Sequence, residues 1–159
     1  MIQIRLAEEL LRIQKTDEVV LMNDIDFGDR KLECIIPEFR GVLNGNGYTI
    51  SNIVVSCPVW GDEQKIALFN YISHAKVKDI VFKGIKFDLM VNSYSPSIAA
   101  LGVEVNDSVI DNVKMYVNTS NLIGIPLLYE ANGVETHNLE ITCNGVTGKT
   151  IKYKEGSLV

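Results

Sequence analysis

The first sixteen residues carry apolar side chains at helical spacing. Those that fall on one stripe of a helix are Ile2, Leu6, Leu10 and Ile13. The charged residues of the segment lie on its other faces, so the pattern predicts an N-terminal α-helix over residues 1–16. Beyond it no stretch keeps a helical period, and short apolar segments alternate with Gly, Asn, Asp and Ser, which is typical of strands joined by turns.

A six-residue pattern then recurs along the strand region. It reads apolar, polar, Asn or Asp, apolar, any residue, apolar, and the fourth copy begins with Thr136 in place of an apolar residue. The Asn or Asp positions of the four copies are 27, 33 and 26 residues apart and hold Asn52, Asp79, Asn112 and Asn138. A second apolar segment precedes each copy. Two strands per unit in a fixed order predict a solenoid, in which equivalent strands of successive coils stack in parallel.

The repeated polar residue interrupts the alternation of a strand, because the apolar residues around it, such as Ile50 and Ile53, are three positions apart. The interruption predicts a bend between two faces of each coil. At the bend, the amide or carboxylate bonds to the backbone or to its equivalents in adjacent coils. We therefore expect one structural ladder through all four copies, and a catalytic role for Asp79 is the alternative.

The most specific stretch of the chain is residues 39–53, which read FRGVLNGNGYTISNI. This stretch resembles a coil of right-handed parallel β-helix proteins with a pectate-lyase-like fold. Residues 20–26 and 67–72 are similar to two further strands of adhesin-like, GLUG-type bacterial repeat modules. The resemblance implies an all-β fold: a right-handed parallel β-helix of about four to five coils over residues 17–159, with the α-helix of residues 1–16 as its N-terminal cap.

The two ends of such a rod need covers, because an open end exposes both the apolar column and unpaired strand edges. At the N-terminal end, the residues predicted to cover the column are Leu6, Leu10 and Ile13. At the C-terminal end, residues 150–154 are either a last strand whose lysines discourage pairing or an edge that pairs with a second copy in a homodimer.

Composition narrows the class of protein. The chain has 159 residues, 47% of them hydrophobic, and a formal net charge of −5, so it suits one folded domain and is too acidic for a generic nucleic-acid binder. Its three cysteines are too few for a disulfide framework or a zinc site, and no motif indicates a cofactor or metal. The first residues lack the basic region of a signal peptide, and no apolar run could cross a bilayer. We therefore expect a cytoplasmic protein that does not bind membranes.

The sequence offers little evidence for catalysis. Residues 44–47 read NGNG but lack the lysine and the strand–helix context of a phosphate loop, so they predict a tight turn with its glycines at positive φ. Polysaccharide lyases and hydrolases with the resembled fold use clustered acids, and no adjacent Asp pair occurs in this chain. We therefore expect that the protein is not an enzyme, with a polysaccharide lyase or hydrolase as the enzyme alternative.

Acidic residues concentrate near the N-terminus, where residues 1–38 hold nine acids and five bases. The spacing of Asp24, Asp26 and Asp29 could supply calcium ligands, but we favour a solvated acidic face that meets a basic protein surface. Two longer interruptions between strands contain Trp60 and Tyr94, and Trp60 either folds back on the rod or anchors an interface. The candidate partner-binding residues are Trp60, Tyr94, Asp24, Asp26, Asp29 and Glu33.

These features lead to the hypothesis of a non-enzymatic protein-binding module. Small size and a cytoplasmic location further suggest an inhibitor of a host defence complex, of the anti-CRISPR type, encoded by a phage or another mobile element. The alternative is a glycan-binding or glycan-cleaving β-helix module of a bacterial surface protein.

Overall fold

The computed structural model describes residues 1–90, 92–120 and 124–159, which form a parallel β-helix of about four turns. The predicted all-β solenoid is thereby confirmed, with 57% of the described residues in strands and 3% in helix. In chain order, the elements are β1 (Ile2–Ile4), α1 (Ala7–Leu10), β2 (Glu18–Leu21), β3 (Ile25–Leu32), β4 (Ile36–Phe39), β5 (Val42–Asn44), β6 (Thr49–Val55), β7 (Lys65–Ile66), β8 (Phe69–Ser73), β9 (Lys76–Phe87), β10 (Ser97–Ile98), β11 (Gly102–Asn106), β12 (Val109–Thr119), β13 (Leu128–Asn132), β14 (Glu135–Cys143), β15 (Val146–Thr147), β16 (Ile151–Lys154) and β17 (Ser157–Leu158).

Three parallel ladders form the faces of the rod. The first face stacks β1, β2, β5 and the opening residues of β9, β12 and β14. The second face stacks β3, β6 and the later residues of the same three long strands. The third face stacks β4, β8, β11, β13 and β16. A coil crosses the three faces in turn, so equivalent residues of successive coils are neighbours at about 4.8 Å.

Columns of stacked apolar side chains fill the interior. Val77 and Ile110 are register partners on the first face, and both are fully buried. On the third face, the ring centroids of Phe39 and Phe69 lie 5.5 Å apart in adjacent coils. Because each side chain packs on those of the coils above and below it, the two ends of the rod need covers.

The N-terminal cap differs from the predicted helix. The helix α1 is a single turn, and residues Ile2–Ile4 instead form β1, which pairs in parallel with β2 and closes the edge of the first face. A helix over residues 1–16 would leave that edge unpaired, so strand pairing outweighs the helical spacing of the apolar residues. Leu10 and Ile13 are 0% and 8% exposed and cover the core as predicted. Leu6 is 63% exposed, which contradicts the prediction for that residue.

Two hairpins close the C-terminal end. Residues 144–145 join β14 to β15 and residues 155–156 join β16 to β17, and all four residues have positive φ, as two-residue hairpin turns require. The last parallel strand of the third face is β16, and β17 pairs with its outer edge in antiparallel orientation. The outer strands β15 and β17 are two residues long, which limits the edge offered to another chain. A homodimer at this end stays a prediction.

The bend between the first and second faces carries a ladder of polar side chains. Asp79, Asn112 and Asn138 stack at equivalent positions of three coils, with φ of 53°, 53° and 51°. The Asn112 amide donates to Asp79 Oδ1 at 3.1 Å, and the Asn138 amide donates to Asn112 Oδ1 at 2.7 Å. These hydrogen bonds join the coils at a point where the strand ladder bends.

Asn52 does not belong to this ladder, contrary to the prediction from the repeat. Its amide donates to Asp26 Oδ1 of the preceding coil at 3.0 Å, and the next coil presents Gly84, where an added Cβ would lie 2.5 Å from Asn52 Oδ1. Asn52 therefore marks a second bend, within the second face. The residue of its coil that stands at the level of Asp79 is Gly45, whose Cβ would collide with the Asp79 carbonyl oxygen.

Replacing Asn112 by alanine tests the ladder. Alanine in the left-handed region costs about 1–2 kcal/mol, and the two lost hydrogen bonds contribute about 0.5–1 kcal/mol each at this exposed position. We expect Asn112→Ala to lower the free energy of unfolding by about 2–3 kcal/mol in urea denaturation. Asn112→Gly removes the same hydrogen bonds without the backbone strain, so it should destabilise less. Equal losses in the two variants would contradict a strained bend.

Candidate binding surface on two stacked loops

Two loops project from adjacent coils at the corner between the second and third faces. Loop 1 comprises residues 56–64, between β6 and β7, and loop 2 comprises residues 88–90 and 92–96, between β9 and β10. The strands that follow the loops, β7 and β10, pair in parallel. The loops therefore re-enter the solenoid at matching positions, and we call them the loop pair.

Hydrogen bonds join the two members of the loop pair. Asn92 Nδ2 donates to the Val59 carbonyl oxygen at 2.9 Å, and the Ser95 N–H donates to Asp62 Oδ1 at 2.6 Å. Asn92 Oδ1 also accepts the Tyr94 N–H at 2.9 Å, which shapes the turn inside loop 2. Each loop is thus constrained by the other.

Gln64 fixes the shape of loop 1 from inside. Its side chain is buried, its Oε1 accepts the Trp60 N–H at 2.9 Å, and its Nε2 donates to the Pro58 carbonyl oxygen at 2.8 Å. A buried amide with both ends bonded holds the backbone from Pro58 to Trp60. Sequence reasoning missed Gln64, because no local pattern distinguishes a buried glutamine in a loop from one on the surface.

Large apolar side chains are exposed on the loop pair. The exposed fractions are 63% for Trp60, 81% for Met90 and 49% for Tyr94. The Trp60 ring therefore does not pack into the core, as one of the two sequence alternatives required, and its role as an interface anchor stays a prediction. Exposed aromatic side chains on constrained loops can enter a partner's pocket with little loss of conformational entropy.

A groove of about 440 Å³ lies beside Trp60. Its lining includes Tyr71, which is 41% exposed and has Lys65 Nζ 5.5 Å from its ring centroid. Glu33 and Glu63 also line it. The groove therefore combines aromatic rings, carboxylates and an ammonium group that lies within cation–π distance of one ring.

Two of the predicted acidic residues serve turns of the first coil. Asp24 Oδ1 accepts the Thr49 N–H at 2.9 Å, and Asp26 Oδ1 accepts the Gly28 N–H at 2.8 Å as well as the Asn52 amide. The hydrogen bond from Asn52, followed by that from Gly28, holds the pKa of Asp26 below its ordinary value. These carboxylates have structural partners and lie outside the loop pair.

The other two predicted acids differ in position. Asp29 Oδ1 lies 3.7 Å from Lys86 Nζ on the second face, whereas Glu33 lines the groove beside Trp60. Of the four predicted acids, the structure therefore brings only Glu33 next to Trp60. Within residues 1–90, 92–120 and 124–159, no group of three or more His, Cys, Asp or Glu side chains could hold a metal ion.

A second groove, of about 670 Å³, runs along the edge between the third and first faces. Ser73 Oγ lies 2.8 Å from His74 Nδ1, and His74 Nε2 lies 3.7 Å from Asp107 Oδ2. Sequence reasoning missed this trio, although His74 and Asp107 have the same 33-residue spacing as Asp79 and Asn112. The distance of 3.7 Å exceeds a hydrogen bond. At this distance the Asp107 carboxylate does not hydrogen-bond to the His74 imidazole.

The fold and the loop pair define a small parallel β-helix with an exposed aromatic surface. No family model, no curated protein and no solved structure matches the chain. Among the described residues, no helix has the length and apolar character needed to cross a membrane.

Proposed function

We propose that the chain is a non-enzymatic protein-binding module that uses the loop pair as its contact surface. The observation that carries the proposal is the exposure of Trp60, Met90 and Tyr94 on loops that hydrogen-bond to each other. Tryptophan and tyrosine are enriched among the residues that dominate the free energy of interfaces. Because the loops are constrained before binding, little ordering cost opposes association.

The charges around the loop pair indicate the kind of partner. Asp62, Glu63 and Asp88 belong to the loops, and Glu33 lines the adjoining groove. An apolar centre with an acidic rim complements a protein surface whose apolar pocket is bordered by Lys and Arg. Rim charges act mainly on the association rate, so we expect association to slow as the salt concentration rises.

Replacing Trp60 by alanine tests the proposal. The wild-type protein is immobilised, a partner captured from a bacterial lysate is identified by mass spectrometry, and its Kd is then measured with purified components. We expect Trp60→Ala to raise the Kd at least about 30-fold, which corresponds to a loss of about 2 kcal/mol. The free energy of unfolding should change by no more than about 0.5 kcal/mol, because the ring is exposed.

Tyr116→Ala is the matched control. Tyr116 is a 41% exposed aromatic residue on β12, outside the loop pair. We expect this variant to keep the wild-type Kd. If Trp60→Ala and Tyr116→Ala lose equal amounts of affinity, or if Trp60→Ala keeps the wild-type Kd, the contact surface lies elsewhere. A bound partner that loses its own activity would support the finer expectation of an inhibitor.

One observation favours glycan binding as a second candidate function. The groove places the rings of Trp60 and Tyr71 beside Glu33, Glu63 and Asn70. A sugar can stack its apolar face on an aromatic ring while carboxylates and amides bind its hydroxyls. Trp60 is the single tryptophan of the chain, so its fluorescence reports directly on oligosaccharide titrations. A saturable change that Tyr71→Ala abolishes would support this function.

A further inference from the structure

Two cysteines occupy equivalent positions in adjacent coils. Leu32 and Val55 are register partners of β3 and β6, and the Ser56 N–H donates to the Leu32 carbonyl oxygen at 2.9 Å. Two residues beyond Leu32 and Val55 lie Cys34 and Cys57. The register of the solenoid therefore brings Cys34 and Cys57 close together, in adjacent coils, at the corner where loop 1 begins.

The environment of the two thiols makes them accessible together. Cys34 and Cys57 are both half-buried, and both line the 440 Å³ groove beside Trp60. Neighbouring parallel strands lie about 4.8 Å apart, within the range of about 4.4–6.8 Å that disulfides require between Cα atoms. The third cysteine, Cys143, is buried on β14 in the last coil and has Val117 as its register partner. It lies away from this corner.

We propose that Cys34 and Cys57 form a dithiol site that a small organic disulfide, such as oxidised glutathione, converts into an intramolecular disulfide. One protein thiol loses its proton and attacks a sulfur of the reagent, which gives a mixed disulfide and releases one molecule of reduced thiol. The second protein thiol, also deprotonated, then attacks the protein sulfur of the mixed disulfide and releases a second reduced thiol. Two electrons pass from the protein thiols to the reagent. This proposal does not depend on the protein-binding function.

The surroundings of the pair set the rate of this reaction. Burial first, and the nearby Glu33 carboxylate second, raise the pKa of Cys34 to about 11 and also raise the pKa of Cys57. Glu33, Glu63 and Lys65 are the charged side chains that line the shared groove. Because the thiolate is the attacking species, exchange should be slow at neutral pH. Its rate should rise by up to about tenfold for each pH unit below the pKa.

Oxidation of Cys34 and Cys57 would change the contacts of Gln64, which holds the backbone at Trp60. Gln64 Nε2 lies 3.8 Å from Cys57 Sγ, and Gln64 Oε1 accepts the Trp60 N–H. Formation of the disulfide would fix the Cys57 sulfur against Cys34 and so change this contact. The fluorescence of the single tryptophan should therefore change with oxidation and return when dithiothreitol reduces the bond.

The test is incubation of the intact protein with oxidised glutathione at neutral and at mildly alkaline pH. We expect the mass of the product to fall by two hydrogen atoms and non-reducing peptide mapping to join Cys34 to Cys57, with faster formation at the higher pH. Cys34→Ser should stop at a glutathione adduct on Cys57. Cys143→Ser should behave as the wild type does.

Several results would overturn the proposal. These are wild-type protein that stays reduced at alkaline pH, that accumulates glutathione adducts without a cross-link, or that forms disulfides between molecules or through Cys143. The mapping of the wild-type protein decides the matter even where a variant folds poorly. If the disulfide forms but the Trp60 fluorescence does not change, the predicted effect of oxidation on loop 1 is wrong, and the proposed disulfide itself stands.

Discussion

Replacing Gly41 by alanine is expected to lower the free energy of unfolding by more than about 4 kcal/mol. Gly41 lies between β4 and β5, and a Cβ built on it would overlap the Asp17 carbonyl oxygen. The backbone cannot easily move aside, because that oxygen accepts the Val42 N–H at 3.0 Å and the Arg40 N–H donates to Lys15 at 2.6 Å. Urea denaturation followed by circular dichroism measures the loss.

Gly61→Ala provides the control for this measurement. Gly61 lies in loop 1 and does not have a positive φ. A Cβ added to it would have no other atom within 4 Å. We expect its free energy of unfolding to stay within about 0.5 kcal/mol of the wild type. If Gly41→Ala unfolds at the same urea concentration as Gly61→Ala, the close approach of the two coils at Gly41 does not constrain the fold.

The solenoid and part of its register could be predicted from the sequence. The spacings between Asp79, Asn112 and Asn138 locate equivalent residues correctly, because each amide bonds to the coil before it. Asn52 has the same local pattern but sits at another bend, since its coil reaches that bend only after the turn that begins at Gly45. A six-residue pattern cannot distinguish two bends of one coil that both favour asparagine at positive φ.

The glycine-rich turn shows a similar limit. Gly47 has a φ of 82°, as the turn prediction requires, but Gly45 does not have a positive φ, and Asn46, with a φ of 54°, has one instead. Gly45 is needed for a different reason, since a side chain there would collide with the backbone at Asp79 in the next coil. Close approach between coils is a tertiary property, so the turn sequence alone does not reveal it.

The contacts within the loop pair follow from the register of the coils. The types of the residues involved do not by themselves predict these contacts. Val59 and Asn92 are 33 residues apart, and so are Asp62 and Ser95. The same 33-residue spacing separates Asp79 from Asn112 in the next pair of coils. The sequence identified Trp60 as a candidate, but its exposure depends on how loop 1 folds around the buried Gln64, which has no periodic signal.

The second large effect is expected at the N-terminal cap, from Leu10→Asp. Leu10 is 0% exposed and belongs to the core. A carboxylate at this position would lose its water without gaining a partner, so residues 1–16 would have to detach from the end of the rod. Detachment also exposes the edge of β2 and the apolar column beneath the cap. We expect the free energy of unfolding to fall by at least about 3 kcal/mol, with self-association that increases with protein concentration.

The variant Leu6→Asp distinguishes the effect of burying the carboxylate from the effect of adding its charge. It adds the same carboxylate four residues earlier, where the side chain is 63% exposed, so we expect wild-type stability to within about 0.5 kcal/mol and wild-type sedimentation. Urea denaturation and analytical ultracentrifugation at several concentrations compare the two variants. Because both variants carry the same net charge, a difference between them reports the burial of Leu10. If Leu10→Asp is as stable and sediments as uniformly as Leu6→Asp, the first sixteen residues do not seal the solenoid.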